Sequence, residues 1–279
     1  MRPRAALAWS ASALVVVLAT GNPVYRVLVA LIALNLLVRH RPADRRLRPL
    51  LLAGGIAGFS AVILNLALSH SGGHLLATLP QPVPGIGGAV TLESLAYGLV
   101  AGSGLVAALL AVAPISLLYE PADVVAELPR PLERTGVAAA ASLNLVPALA
   151  RAYTSVREAQ VMRGWRPRGP RSWADLLVPV ALTAVEDSVQ LAEAMEARAF
   201  GAGTRSRLRP DRWTPAAVLI AVAAVVAAAV FLGARFFGLE ADWYPYPELT
   251  LPPVTPALIV ASLLLAFPAL PWPSPRSTA

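Results

Sequence analysis

Six apolar runs, at about 5–20, 23–38, 49–69, 93–118, 215–237 and 254–270, constrain this chain more than any other feature. Runs of this kind present no polar face, so their solvent is lipid, and in lipid every backbone N–H and C=O must find a partner within the protein. Helices meet that demand, and a spanning helix needs about 20 residues at 1.5 Å each. The first two runs are short against that length and read as a tight hairpin turning at Gly21-Asn22-Pro23. A loop rich in Gly and Pro, His70 to Thr91, joins the third run to the fourth. The last two are joined by residues 240–248, where Trp243, Tyr244 and Tyr246 suit a membrane interface. Charged residues make up only 14% of the chain, against about 25% in soluble domains. The expected fold is all-α: a polytopic membrane protein of about six transmembrane helices.

Arginine decides the orientation. All 23 cationic side chains are arginine, and with the N-terminus inside, 21 of them fall on the cytoplasmic side. Arg26 and Arg235 alone lie at outer ends of spans. This one-sided bias places both termini in the cytoplasm of a multi-pass protein of the cell (inner or plasma) membrane. Arg2 and Arg4 precede an apolar run, but Thr20-Gly21-Asn22-Pro23 reads as a turn and not as a signal-peptide cleavage site. The absence of cysteine excludes disulfides, thiolate nucleophiles and cysteine-based metal sites.

Residues 119–212 break the membrane pattern with 11 acidic and 13 basic residues in an Ala- and Leu-rich background. The expected organisation is therefore N-terminal transmembrane helices over 1–118, a cytoplasmic region over 119–212, and a C-terminal transmembrane hairpin over 213–279. Within the middle region, Glu120-Pro-Ala-Asp123 begins a short helix that stops before Pro129 and Pro131. A long helix is expected over about 133–163, ended by Gly164, and another over 172–199, ended near Gly201. Glycine just past a helix with arginine in its last turn is a stop signal. Both helices start apolar and end polar, and each carries an internal proline, Pro147 or Pro179, that removes one backbone hydrogen bond and bends it.

Two near-repeated stretches close these helices: Glu158-Ala-Gln-Val-Met-Arg-Gly-Trp165 and Ala194-Met-Glu-Ala-Arg-Ala-Phe-Gly201. Each places one arginine, Arg163 or Arg198, where a helix runs out into small residues, as two plugs for two sockets would. A guanidinium forms planar bidentate hydrogen bonds to a carboxylate, which lysine cannot match. Small neighbours, Ala159 and Gly164 in one motif and Ala194, Ala197 and Ala199 in the other, let the helix end enter a groove closely. Gln160 and Glu196 support them. Arginine in a last turn also complements the helix dipole by about 0.3–1 kcal/mol; it is the pairing of two similar motifs that argues for more.

Leu145-Val-Pro147, Glu158-Ala-Gln-Val-Met-Arg-Gly164 and Leu191-Ala-Glu-Ala-Met-Glu-Ala-Arg198 resemble the transmembrane T component of energy-coupling factor (ECF) ABC transporters. The resemblance covers most of residues 15–205. It implies a scaffold for vitamin or transition-metal uptake whose two coupling helices each end in an X-Arg-X motif. Carried over, Met162-Arg163-Gly164 is the first motif and Ala197-Arg198-Ala199 the second, each docking one of two ABC-type ATPase subunits (distinct, or a homodimer). The second departs from the commoner Ala-Arg-Gly form at Ala199. The implied partners are those ATPases, a substrate-binding membrane S component and the lipid bilayer; no cofactor, metal or nucleic acid is expected.

Other features read more plainly. His70-Ser-Gly-Gly-His74 has the spacing of a metal pair but lies in an outer loop without a third ligand. Glu93 reads as interfacial, and Arg205-Ser-Arg-Leu-Arg209 with Arg212 as an anchor beside anionic lipid. Gly54-Gly-Ile-Ala-Gly58 reads as span packing, since no strand precedes it and no lysine follows. No Walker motif is present, so the chain is expected not to be an enzyme, ATP hydrolysis coming from partners. The competing expectation is a stand-alone secondary transporter, which would place ionisable groups or broken helices at mid-membrane.

Overall fold

The computed structural model describes residues 3–40, 44–69, 71–78, 88–120, 124, 133–166, 169–199, 214–239, 242–246 and 249–269. Two compact units emerge, one formed by residues 1–127 with 213–279 and the other by residues 128–212.

The first unit contains helices α1 (Pro3–Ala19), α2 (Pro23–His40), α3 (Asp44–Leu68), α4 (Leu92–Leu118), α7 (Pro215–Phe236) and α8 (Pro256–Leu264). Two short strands, β1 (Leu75–Thr78) and β2 (Ala89–Thr91), form an antiparallel ribbon with an irregularity between Leu75 and Ala77. Helix α4 is central and packs on α1, α2 and α3; α1 also packs on α7, and α8 on α7 and α2. Small residues permit this. Ala5, Ala13, Ala107, Ala224 and Ala227 are all fully buried, because helices in lipid associate by close backbone approach more than by excluding water. The α3–α4 crossing is the tightest: a Cβ on Gly102 would stand 2.7 Å from the Gly58 carbonyl oxygen, and one on Gly98 3.0 Å from Val62 Cα. Of the stretch read as span packing, Gly58 sits in this crossing and Gly54 lies against Leu109, while Gly55 faces open space.

Larger side chains fill the centre. Tyr25 meets Phe231 edge-on at 5.4 Å, and the Trp9 indole donates to the Leu265 carbonyl at 2.8 Å. The expected hairpin at Gly21-Asn22-Pro23 is present and closely bonded. Asn22 is fully buried; its Oδ1 accepts from the Val24 amide at 3.0 Å and its Nδ2 donates to the Pro253 carbonyl at 2.7 Å.

Among the described residues, α2, α3 (from Leu47), α4 and α7 are long and apolar enough to span a bilayer, in keeping with a multi-pass membrane protein. The other two expected spans are shorter. Helix α1 has 17 residues, and over the expected 254–270 span α8 runs nine residues before tightening into a 3₁₀ turn at Phe267–Ala269. Pro268 lacks an amide hydrogen and cannot continue the helical ladder, which accounts for the early end.

In the second unit, α5 (Glu133–Met162) and α6 (Ala174–Ala197) pack on each other, joined through a 3₁₀ turn at Pro170–Trp173. Pro147 and Pro179 lie inside them as expected. Of the short helix expected to begin at Glu120 and stop before Pro129, Val124 is described and helical, its amide donating to the Glu120 carbonyl at 3.3 Å, while residues 121–123 and 125–132 and the arginine run 205–212 lie outside the described residues.

Candidate functional site

The last turn of α5 is closed by a Schellman motif. The Trp165 amide donates to the Gln160 carbonyl and the Gly164 amide to that of Val161, both at 2.9 Å, while Gly164 takes φ +86°. A left-handed residue after the cap is what lets the chain turn back onto its own open carbonyls, and glycine adopts it without steric cost. Arg163 is the cap residue. It is exposed beside Met162, itself 83% exposed, so the turn holds the arginine at the outermost point of the helix.

The end of α6 repeats this geometry. Arg198 is the cap residue, the Ala199 amide donates to the Glu196 carbonyl at 2.9 Å, and Ala199 takes φ +51°. Ala199 alone among the described non-glycine residues has a positive φ. Its methyl group matters through the backbone and not through its bulk: a left-handed L-residue costs about 1–2 kcal/mol. The second tip is therefore the strained copy of the first. Among the described residues, neither the Arg163 nor the Arg198 guanidinium has an ion-pair or hydrogen-bond partner. Ala159, Gln160, Ala194 and Glu196 occupy the final turns, with Gln160 and Glu196 supplying carbonyls that close the caps.

One contact fixes where the tips lie. The Trp165 indole Nε1 donates to Asp175 Oδ2, in the first turn of α6, at 3.0 Å. Arg163 is thereby held near the start of α6 and Arg198 stands at its far end. Twenty-four helical residues separate those ends, which places the two arginines about 36 Å apart at 1.5 Å per residue. The sequence reading had the two tips but not this brace; its only signal is an aromatic donor directly after a C-cap glycine.

The other candidates fall in the first unit. Glu93, expected to be interfacial, is fully buried at the head of α4, where its carboxylate is wrapped by the loop before β1. It accepts from the Gly73 amide at 3.3 Å and the His74 amide at 3.3 Å, and His74 Nδ1 lies 2.7 Å from its Oε1. A Cβ on Gly72, which takes φ +136°, would come within 2.4 Å of Glu93 Oε2. The loop thus satisfies the carboxylate from within the protein. His74 remains exposed on its other side, and His70 lies outside the described residues. Among the described residues, no three His, Cys, Asp or Glu side chains gather as a metal would require.

Two comparisons bear on these features. Residues 1–210 match the family model CbiQ, described as "Cobalt transport protein". No curated protein matches the chain.

Proposed function

The chain belongs to the CbiQ cobalt transport protein family, and from that membership we propose that it is the transmembrane scaffold of an ECF-type ABC importer. It is a transport protein and not an enzyme, and its task in this reading is mechanical. Two cytosolic ATPase subunits dock on the tips of α5 and α6 through Met162-Arg163-Gly164 and Ala197-Arg198-Ala199. A separate membrane subunit captures the substrate, a vitamin or a transition-metal ion. Closure of the ATPase pair moves α5 against α6, and the first unit passes that movement to the capture subunit.

The observation that carries the reading is the pair of exposed cap arginines, without partners among the described residues, one closing α5 beside the start of α6 and the other closing α6 at its far end. A separation of about 36 Å suits two protein sockets and is too wide for one small-molecule site. Each guanidinium has its donors free for a socket carboxylate, a bond to a charged group contributing about 1.5–3 kcal/mol. Internal prolines at 147 and 179 fit levers set in a bent shape.

Co-purification of the ATPase subunits with wild type, Arg163→Ala, Arg198→Ala and the double variant tests this, with membrane insertion held equal. Each single variant is expected to weaken ATPase retention about tenfold or more, and the double variant to abolish it along with uptake. Full retention and uptake in the double variant would sink the reading.

A further inference from the structure

Among the arginines that the coupling reading does not use, one stands out. Arg26 lies one turn into α2, within an apolar span, where an ionisable side chain is costly and marks a functional site by default. Its Nη1 donates to the Val100 carbonyl of α4 at 3.1 Å. Gly104 makes the room, since a Cβ there would stand 2.9 Å from Nη1. That bond leaves most of the guanidinium's five donors unused, and Nε is buried with no acceptor. The neighbouring Val27 and Leu99 are 46% and 57% exposed, so the half-buried guanidinium lies on a lipid-facing flank and not in the core.

Its depth narrows the choice of ligand. Helix α4 has 27 residues, about 40 Å, or some 10 Å more than a bilayer's hydrocarbon thickness. Its first turns can therefore stand among headgroups. Tyr97, one turn before Val100, clusters with Tyr244 and Tyr246 at ring distances of 5.5 and 5.9 Å. The Tyr246 hydroxyl lies 2.7 Å from Ser69 Oγ. Tyrosines gathered in this way mark the membrane–water interface, one turn above the guanidinium.

We propose that Arg26 binds the phosphodiester of a phospholipid in the leaflet level with the α1–α2 turn. The Val100 carbonyl and the Gly104 cradle hold one edge of the guanidinium, and the remaining donors offer two parallel N–H bonds to phosphate oxygens. A partner carboxylate fits less well, because the exposed residues flanking the guanidinium, Val27 and Leu99, are apolar. The site and the coupling tips use different residues, so its success or failure leaves that reading untouched.

Full-length protein, stripped of lipid in detergent and offered phosphatidylglycerol, provides the test by native mass spectrometry. Wild type is expected to hold this lipid about tenfold more tightly than Arg26→Gln, the loss of one charge-assisted pair. Diacylglycerol, which lacks the phosphate, is expected not to be retained. Equal retention by wild type and Arg26→Gln, or of diacylglycerol and phosphatidylglycerol, overturns the proposal. Binding of inorganic phosphate with no lipid retained assigns the site to the free anion and overturns the lipid source. Should Arg26→Gln fail to fold, Arg26→Lys keeps the charge but not the fork: several-fold weaker retention supports the proposal, and undiminished retention overturns it.

Discussion

Gly164 and Ala199 hold equivalent places after the two cap arginines, yet only one of them is suited to its backbone. Because both have positive φ, exchanging their side chains should move stability in opposite directions. Gly164→Ala is expected to destabilise the α5 cap by about 1 kcal/mol, and Ala199→Gly to stabilise the α6 cap by a similar amount. Hydrogen exchange of the last-turn amides reads both, and equal effects of the same sign would contradict the assigned geometry. At this scale the sequence singles out the two tips. Arg163 and Arg198 stand out by repetition, but the strain at Ala199 does not, since a φ angle is a property of the folded turn. Glu93 shows the reverse case. Its position at a span end was legible, whereas its burial under Gly73 and His74 depends on a loop folding back onto α4.

Element by element, the prolines and glycines decide which helices bend and which approach closely. Gly102 faces the Gly58 backbone with no space for a side chain. Gly102→Val should force α3 and α4 apart and cost about 1–3 kcal/mol, seen as a lower melting temperature in detergent. An unchanged melting temperature would mean that this crossing loosens freely. In α6, Pro179→Ala restores one helical hydrogen bond and is expected to straighten the lever. ATPase retention should then persist while coupled uptake falls, because the tip is intact and only its angle has changed. Helix boundaries were close to legible: α5 was expected over 133–163 and runs Glu133–Met162. The run at 254–270 was not, because the 3₁₀ turn at Phe267–Ala269 interrupts an unbroken apolar composition.

For the whole molecule, the absence of native cysteine gives a clean route to its orientation. Single cysteines placed at Gly73 and at Arg166 should label from opposite faces of the membrane with an impermeant thiol reagent, the first from outside and the second only after permeabilisation. Labelling of both from one face would overturn the proposed cytoplasmic placement of the coupling region. By itself the sequence determined a helical, multi-pass membrane protein with two arginine tips, because lipid permits little else for such apolar runs and because the motif repeats in the text. The tertiary structure decided the rest. The separation of the tips follows from the packing of α5 on α6 and the Trp165–Asp175 bond at their junction, and Arg26 becomes a site only because α4 brings Val100 and Gly104 against it. Such placements depend on contacts between residues distant in the chain, and no local pattern of side chains encodes where those contacts close.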